Sequence, residues 1–329
     1  MKPIFVTGGA GYIGSHMVLA LREEGRPVVV FDDLSTGRRE LVPDDVPLIV
    51  GDIRDTGALC KAIKQHGCDS VMHFAAKIAV EESVREPELY RSVNVDGTQS
   101  LLEAMRLTGV TSMVFSSTAA VYGEGKDQPC AEDDSPSPTN PYGATKLACE
   151  GLIRQAAQDF GLRHVILRYF NVAGADPLGR SGQCGPESSH LIRAACEAAC
   201  GIRDKITIFG TDYTTPDGTC LRDYIHVSDL VGAHVAALGY LAEPGKENLI
   251  LNVGYGQGTS VREVLKAVER ASGKPLPVVE GPRRPGDSAV VIAEARRIRE
   301  ILGWVPRHQS LDGIVGTALA WERSLTSRR

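Results

Sequence analysis

Residues 4–16 read IFVTGGAGYIGSH, an apolar run followed by a cluster of glycines. Ile4–Thr7 predicts a buried strand, and residues 15–24 predict the helix that follows the glycines. Two glycine spacings fit a phosphate-binding loop: GxGxxG through residues 9, 11 and 14, or GxxGxxG through residues 8, 11 and 14. Glycines at such a turn let the backbone approach a pyrophosphate, whose charge then meets free N–H groups at the helix start. A glycine motif alone also occurs in ordinary tight turns, so the following strands have to support this interpretation.

A carboxylate at the end of the second predicted strand supports a dinucleotide site. Val28–Asp32 predicts a strand that ends eighteen residues beyond Gly14. An acid at this position meets the adenosine ribose hydroxyls and repels a 2′-phosphate, so the sequence predicts NAD as the cofactor in preference to NADP. The third and fourth predicted strands run into Asp52 and His73. Asp52 is predicted to accept a hydrogen bond from the adenine amino group, whereas His73, among apolar neighbours, is predicted to be a packed strand residue.

The order of the predicted elements indicates the fold class. Strand-like runs alternate with helical stretches throughout the first half, at Ile4–Thr7, Val28–Asp32, Leu48–Val50, Ser70–Phe74, Ser112–Ser117 and Val165–Phe170. This alternation predicts an α/β fold with a Rossmann-type, doubly wound parallel sheet covered by helices on both faces. Residues 1–174 are predicted to form the NAD-binding domain, and segments near 222–255 are predicted to return to it. Residues 175–329, which begin with a glycine- and proline-rich passage, are predicted to form a second, smaller α/β substrate domain.

A second group of reactive residues follows the fifth predicted strand. That strand closes with SST (residues 116–118), and NP (residues 140–141) then begins a helix, since asparagine is a good N-cap and proline a good first helical residue. Tyr142 and Lys146 lie one turn apart on this helix and share a face. A lysine cation, the helix N-terminus and an oxidised nicotinamide would together lower the pKa of Tyr142 from about 10 towards neutrality. Tyr142 is therefore predicted to be a general base.

Composition and charge indicate a protein that acts on small molecules. A net charge of −5 with only 5% aromatic residues gives no basic surface for nucleic acid and no cationic face for a membrane. No apolar run approaches transmembrane length, and the N-terminal run is too short for a signal peptide. The eight cysteines include no CxxC pair, and Cys196 and Cys200 are spaced for one helix face. Reduced thiols, a cytoplasmic location and the absence of a metal site are therefore predicted.

Four segments carry a resemblance that covers nearly the whole chain. They are VTGGAGYIGSH (residues 6–16), LRYFN (167–171), GTCLRDYIHV (218–227) and RRPGD (283–287). With the predicted tyrosine and lysine, they resemble the extended short-chain dehydrogenase/reductase family, and within it the UDP-hexose 4-epimerases. The resemblance implies interconversion of UDP-glucose and UDP-galactose at C4, through transient oxidation by tightly bound NAD and a 4-keto sugar. It also implies a homodimer formed by the run 87–107 and the helix from 141 to about 160; burial of both on the chain's own sheet is the alternative.

The resemblance implies a role for each matched residue. Tyr142 would be the catalytic base, Lys146 would bind the nicotinamide ribose and tune that tyrosine, and Thr118 would hydrogen-bond the reacting hydroxyl. The other residues implied to line the NAD site are Gly8, Gly11, Tyr12, Ile13, Gly14, Asp32, Asp33, Leu34, Ser35, Thr36, Gly37, Asp52, Ile53, Phe74, Ala75, Ala76, Lys77, Asn94, Ser116, Tyr169 and Phe170. Those implied to hold the UDP-hexose, with Thr118 and Tyr142, are Asn171, His190, Leu191, Thr207, Phe209, Arg222, Arg284, Asp287 and Val291. The two arginines would bind the diphosphate.

The chain departs from the family pattern at three positions. Where the family often has a lysine that contacts the ribose, this chain has Ile78, with Lys77 one place earlier. His190 and Val291 stand where bacterial sugar pockets often have asparagine and tyrosine. A valine leaves more room beside the sugar C2 substituent, so the N-acetylated UDP-hexoses are possible further substrates.

Other functions on the same fold stay open to different degrees. A 4,6-dehydratase would need an acid pair after the active-site hydroxyl, and here Thr118 is followed by two alanines. A decarboxylase or a UDP-pentose 4-epimerase is harder to exclude on the basis of the sequence. A non-catalytic NAD-sensing regulator would have little need of Tyr142, Lys146 and a clamp for a sugar diphosphate.

Overall fold

A seven-stranded parallel sheet forms the centre of the computed structural model, which describes residues 1–123, 128–185, 190–284 and 287–327. The strands are Ile4–Thr7 (β1), Val28–Asp32 (β2), Leu48–Val50 (β3), Ser70–His73 (β4), Ser112–Thr118 (β5), Arg163–Tyr169 (β6), Asn171–Ala173 (β7), Ile206–Phe209 (β8), Leu221–Arg222 (β9), Tyr224–His226 (β10), Leu249–Val253 (β11), Thr259–Ser260 (β12), Val278–Gly281 (β13) and Val290–Val291 (β14). The sheet order is β3-β2-β1-β4-β5-β6-β11, with every neighbouring pair parallel. The order reverses between β1 and β4, which is where such sheets bind their ligands.

Helices cover both faces of this sheet. They are Tyr12–Glu23 (α1), Thr56–His66 (α2), Val80–Arg85 (α3), Pro87–Tyr90 (α4), Gly97–Thr108 (α5), Pro141–Phe160 (α6), Leu191–Ala199 (α7), Val227–Ala242 (α8), Val261–Ser272 (α9), Arg296–Leu302 (α10) and Leu311–Ser327 (α11). Successive side chains of a strand point to opposite faces. On β1, Val6 therefore packs into the core beneath α1 and α8, and Phe5 into the core beneath α2, α5 and α6. The predicted Rossmann-type, doubly wound sheet is confirmed.

The second half of the chain contributes one strand to the main sheet and forms small sheets of its own. β11 pairs with β6, as the sequence predicts for this segment. β10 was also expected to return, but it pairs with β7 instead. Only one residue separates the end of β6 from the start of β7, so β10 lies beyond the carboxyl end of β6, in a separate two-stranded sheet. The remaining strands form the sheets β12-β9-β14 and β13-β8, while α7, α9 and α11 pack together.

The helical run predicted over residues 87–107 contains an irregularity. It consists of α4, a π-helical turn over Arg91–Asp96, and α5. Such turns inside helical runs are frequent at functional sites. This one holds Asn94, one of the residues implied in cofactor binding, in a buried position. Among the described residues, no helix has both the length and the apolar character needed to cross a membrane.

Candidate active site

The residues implied in cofactor binding follow the carboxyl ends of neighbouring strands. The glycine loop follows β1, residues 32–37 follow β2, and Asp52 and Ile53 follow β3. Residues 74–77 follow β4. Ser116 lies near the carboxyl end of β5, and Tyr169 is the last residue of β6. Since these strands are parallel neighbours, the structure brings the whole set to one edge of the sheet.

The loop between β1 and α1 has no room for side chains at its glycines. A Cβ atom on Gly14 would lie 2.1 Å from the carbonyl oxygen of Gly8, and one on Gly8 would lie 2.6 Å from the amide nitrogen of Ala75. Gly11 occupies the N-cap position of α1, and no side chain among the described residues caps this helix. The N–H groups of Tyr12 and Ile13 in its first turn are thus placed to meet an anion.

Asp32 closes β2 beside this loop. Its carboxylate accepts hydrogen bonds from the amides of Ala10 and Leu34, both at 2.9 Å. Burial raises the pKa of Asp32, and these two hydrogen bonds oppose the rise. Leu34 itself adopts a φ of 59°, an uncommon left-handed conformation for leucine. Gly37 packs so closely that an added Cβ would lie 2.7 Å from the Asp32 Oδ1 atom.

Asp52 and Ile53 differ in their surroundings. Asp52 forms an exposed ion pair with Arg54, at 2.5 Å, and the hydrogen bond from Arg54 holds the pKa of Asp52 below its usual value. The carboxylate is therefore charged and accessible to solvent. Its contact with the adenine amino group stays a prediction. Ile53 is buried against α5, where a Cβ on Gly97 would lie 2.6 Å from its Cγ2 atom.

The catalytic residues implied by the resemblance converge where β5 meets α6. α6 begins at Pro141, and Asn140 Oδ1 accepts a hydrogen bond from the Gly143 amide at 2.9 Å, as expected of an N-cap. This cap fixes Tyr142 in the first turn, where its buried hydroxyl hydrogen-bonds the side chain of Thr118. One turn later, the amine of Lys146 donates to the carbonyl oxygen of Ser116 at 2.9 Å.

Burial sets the acid–base properties of this pair. It raises the pKa of Tyr142 to about 12, although the hydrogen bond with Thr118 works in the opposite direction. Burial also lowers the pKa of Lys146, to about 8. The expected depression of the tyrosine pKa is therefore not produced by these side chains alone, because desolvation of the phenolate outweighs them. The predicted lowering of the Tyr142 pKa also counted on the positive charge of an oxidised nicotinamide, which the chain itself does not supply.

Asn94 holds the segment after β4. Its side-chain oxygen accepts from the Lys77 amide at 2.8 Å, and its side-chain nitrogen donates to the Lys77 carbonyl at 3.1 Å and to Thr145 at 3.1 Å. The Lys77 amine lies 4.0 Å from Glu82, while Ile78 is exposed. Asn94 thus ties the π-helical turn, the cofactor edge and α6 together.

His234 on α8, which was not predicted, lies against the same edge. Its Nδ1 atom lies 2.9 Å from the Leu230 carbonyl, so Nε2 is left to accept from the Ser116 hydroxyl at 3.0 Å. Its ring lies against those of Phe74 and Tyr169, with centroids 4.9 and 6.3 Å apart. Burial lowers the pKa of His234 to about 4 and keeps it neutral. No local motif marks this residue, since 118 positions separate it from Ser116.

Several residues implied in substrate binding form a cluster on the small sheet of β9 and β14. Val291 pairs in register with Arg222, and Arg222 forms a salt bridge with Asp287. Asn171 begins β7, and its amide donates at 3.0 Å to the carbonyl of Asp223, next to Arg222. The structure therefore brings these residues to one place beyond the carboxyl end of β6.

A second part of the cluster lies on β8. The guanidinium of Arg284 stacks on Phe209 at 4.0 Å and lies 3.7 Å from Glu81 of α3, which belongs to the first half of the chain. The next side chain back, Arg283, was not predicted; it stacks on Tyr213 at 4.1 Å. Residues 285–286 of the matched RRPGD segment lie outside the described residues.

The remaining predicted substrate residues lie on β8 and at the start of α7. His190 is exposed immediately before α7, where its ring lies 3.2 Å from the side-chain amide of Gln183. Leu191 and Thr207 are half-buried on α7 and β8, two elements that pack together. Thr207 shares β8 with Phe209, on which Arg284 stacks from the segment after β13.

The donor set at the sheet edge fits an NAD molecule. The glycine cradle leaves space only for backbone beside the N-terminus of α1, which suits a pyrophosphate. The Asp32 carboxylate at the end of β2 suits the adenosine ribose. Tyr142 and Lys146 at the end of β5 are placed where the nicotinamide ribose and ring would lie, at the other side of the order reversal.

Comparisons with known proteins agree with this geometry. Residues 4–254 match the model of the NAD dependent epimerase/dehydratase family. The chain is 55% identical over 322 residues to a UDP-glucose 4-epimerase of Azospirillum brasilense, covering 98% of this chain and 92% of that protein. Its structure is similar to that of UDP-glucose 4-epimerase from Brucella ovis in complex with NAD, with a TM-score of 0.94, 43% identity and 97% and 98% coverage. It also resembles the Bifidobacterium longum enzyme in complex with NAD⁺ and UDP, with a TM-score of 0.92, 36% identity and 98% of each chain covered.

Proposed function

Because the chain belongs to the NAD dependent epimerase/dehydratase family, we propose that it interconverts UDP-glucose and UDP-galactose by inverting C4 of the sugar. The observation that carries this proposal is the placement of Tyr142, Lys146 and Thr118 where β5 meets α6, at the sheet edge that also carries the glycine cradle. Solved relatives that bind NAD, or NAD⁺ with UDP, support the same cofactor and nucleotide for this chain.

The chain's own residues would carry the proton and hold the substrate. NAD, when bound, supplies a reversible hydride acceptor for C4. Tyr142 removes the proton of the 4-hydroxyl and returns it after the sugar has turned, while Thr118 hydrogen-bonds that hydroxyl. Lys146, buried one turn away, favours the phenolate by its charge. Arg222 and Arg284 bind the diphosphate, so the UDP half stays fixed while the 4-keto sugar exposes its other face.

The domain roles and the location are part of the proposal. We assign NAD binding to residues 1–174 with β11, and UDP-sugar binding to residues 175–329, which carry the arginine cluster. A cytoplasmic location is supported by the cysteines: all eight lie in the described part of the chain and are free thiols.

Incubation with UDP-galactose, without added oxidant or reductant, tests the function. We expect UDP-glucose to accumulate to an equilibrium ratio that is also reached from UDP-glucose. Formation of a 4-keto-6-deoxy sugar would indicate a dehydratase, and loss of carbon dioxide from a UDP-hexuronic acid a decarboxylase. Conversion of UDP-xylose alone would indicate a pentose epimerase. A protein that binds NAD and converts none of these sugars would contradict an enzymatic function.

The position of Val291 favours a second pair of substrates. It lies in register beside Arg222, the residue that we place on the diphosphate, and it is half-buried. A valine leaves space that a tyrosine would fill, so an acetamido group on C2 can be accommodated there. We propose that the chain also epimerises UDP-N-acetylglucosamine and UDP-N-acetylgalactosamine.

Changing Val291 to tyrosine tests this breadth. We expect the variant to keep its activity on UDP-galactose and to lose about 10–200-fold in kcat/KM on the N-acetylated pair, because pocket differences of this kind are worth about 1–3 kcal/mol. Both kcat/KM values are measured on both substrate pairs, with Val291→Ile as the control. An unchanged ratio between the pairs would show that Val291 does not select the substrate.

A homodimer is the further proposal on assembly. α5 and α6 pack side by side, and the surface that they form with the π-helical turn before α5 carries apolar residues that are not fully buried: Val93 on the turn, Leu107 on α5 and Leu152 on α6. A Cβ on Gly151 would meet no atom within 4 Å, so the surface of α6 is open at this point. Pairing with the same helices of a second copy would cover these residues.

Sedimentation velocity at micromolar concentration is expected to show a dimer. The variant Leu152→Glu is expected to shift it towards the monomer, because a half-buried apolar side chain at the interface would be replaced by a charge. Leu178, an exposed leucine in the segment after β7, provides the matched control Leu178→Glu, which should leave the dimer unchanged. A wild-type protein that sediments as a monomer would contradict the proposal.

A further inference from the structure

A buried network of polar and charged side chains lies beneath the catalytic edge, with Glu150 at its centre. Glu150 is 0% exposed, Arg168 3% and Ser117 0%. Arg168 donates to both carboxylate oxygens of Glu150, from Nη2 at 2.6 Å and from Nε at 3.0 Å. The Ser117 hydroxyl donates to the same carboxylate at 2.5 Å. The charge of Glu150 is therefore fully matched inside the protein.

The network continues into two further elements. Arg168 Nη1 donates at 3.2 Å to the hydroxyl of Tyr122, which donates in turn to the side-chain oxygen of Asn252 at 2.7 Å. The guanidinium also lies 5.0 Å from the Tyr122 ring centroid. Since Asn252 belongs to β11, the network joins α6 to three adjacent strands of the main sheet, β5, β6 and β11.

Each end of this network adjoins a residue that we place in catalysis. Glu150 follows Lys146 by four positions and lies on the same face of α6. Ser117 directly precedes Thr118 on β5. Tyr122 closes the 3₁₀ turn Ala119–Tyr122, which the Thr118 hydroxyl caps by accepting from the Ala120 amide at 3.2 Å. The network thus holds the chain on both sides of Thr118, at Ser117 and Tyr122, and at Glu150, one turn beyond Lys146.

Stability alone is a poor reason for such a pair. Removing two charges from water costs several kcal/mol per ion, and well-packed apolar residues of similar volume are often as stable or more so. A bidentate arginine–carboxylate pair, however, fixes direction as well as distance, which an apolar contact does not. Epimerisation requires such direction, because a misplacement of about 1 Å at reacting groups can cost about 10²-fold in rate.

We propose that Glu150 is a positioning residue for the epimerase reaction. Through Arg168, Ser117 and Tyr122 it holds the Thr118 hydroxyl at a fixed place relative to Tyr142 and Lys146 on α6. This inference rests on the function proposed above, and it adds to that function a set of residues that touch neither substrate nor cofactor.

Two variants, Ser117→Ala and Tyr122→Phe, test the proposal by removing one hydroxyl of the network each, without removing a buried charge. We expect each to lower kcat about tenfold, with KM for UDP-galactose and the content of bound NAD within about twofold of the wild type. Ser70→Ala is the matched control. Ser70 is a buried serine whose hydroxyl donates to the Asp69 carboxylate, and it lies at the amino end of β4, away from the carboxyl ends of the strands. It should leave kcat unchanged. Unchanged kcat in both test variants would overturn the proposal.

The double variant Glu150→Leu/Arg168→Met separates positioning from stability. We expect a thermal midpoint at or above that of the wild type and a kcat lower by about 10²-fold. A kcat within threefold of the wild type in a folded variant would overturn the proposal; if the variant fails to fold, the two single-hydroxyl variants decide. A wild-type protein that binds NAD and converts no UDP-sugar would instead overturn the proposed function, so the two failures are distinguishable.

Discussion

Replacing Tyr142 with phenylalanine is expected to lower turnover of UDP-galactose by about 10²–10⁴-fold, the usual contribution of a positioned acid–base group. The ring of Tyr142 is buried in the first turn of α6, and phenylalanine preserves that packing. Only the hydroxyl that bonds Thr118 is lost. The thermal midpoint and the amount of bound NAD should therefore stay close to those of the wild type.

Steady-state kinetics, thermal unfolding and NAD content are measured on the same preparations. Tyr240→Phe serves as the control, because Tyr240 is a half-buried tyrosine near the carboxyl end of α8, away from β5 and α6, and its replacement should leave turnover unchanged. A loss of less than tenfold in Tyr142→Phe would remove Tyr142 from its role as the base.

Replacing Gly14 with alanine is expected to abolish tight NAD binding. The added Cβ would lie 2.1 Å from the carbonyl oxygen of Gly8 and 2.8 Å from the Cα of Gly9. Both are backbone atoms, so no side-chain rotation relieves the clash and the loop has to move away from the N-terminus of α1. The pyrophosphate would lose the N–H groups that it needs.

The test for this loop is the NAD content of the purified variant, with thermal unfolding in the presence of added NAD. The control is Gly239→Ala on α8, where an added Cβ meets no atom within 4 Å. That variant should keep its NAD and gain up to about 1 kcal/mol in the free energy of unfolding, because alanine is the better helix former. A Gly14→Ala protein that retains stoichiometric NAD would contradict the assignment of the loop.

The sequence predicts most of the cofactor edge because local signals specify it. β1, β2 and β3 have the predicted bounds, and α6 spans Pro141–Phe160 because a side-chain cap and a proline mark its start. Each strand end carries its own polar residue, and parallel strands bring those ends together. The pKa of Tyr142 was harder to predict, because it depends on how deeply the hydroxyl is buried. That burial results from tertiary packing, which no short motif encodes.

Contacts between distant segments account for what the sequence did not reveal. His234 reaches Ser116 across 118 positions, and Tyr122 reaches Asn252 across 130. Neither pair has a spacing that a strand or helix period would mark. The pairing of β10 with β7 was missed for a similar reason, since it joins Tyr224 to Asn171 across 53 positions.

The late arrival of β11 has a consequence for synthesis on the ribosome. Residues 163–169 form β6 well before residues 249–253 emerge to cover its outer edge. During this interval the nascent chain presents a row of unpaired backbone groups, which other strands can join. A fragment that ended at residue 174 would leave this edge of β6 without β11, and we expect such a fragment to aggregate.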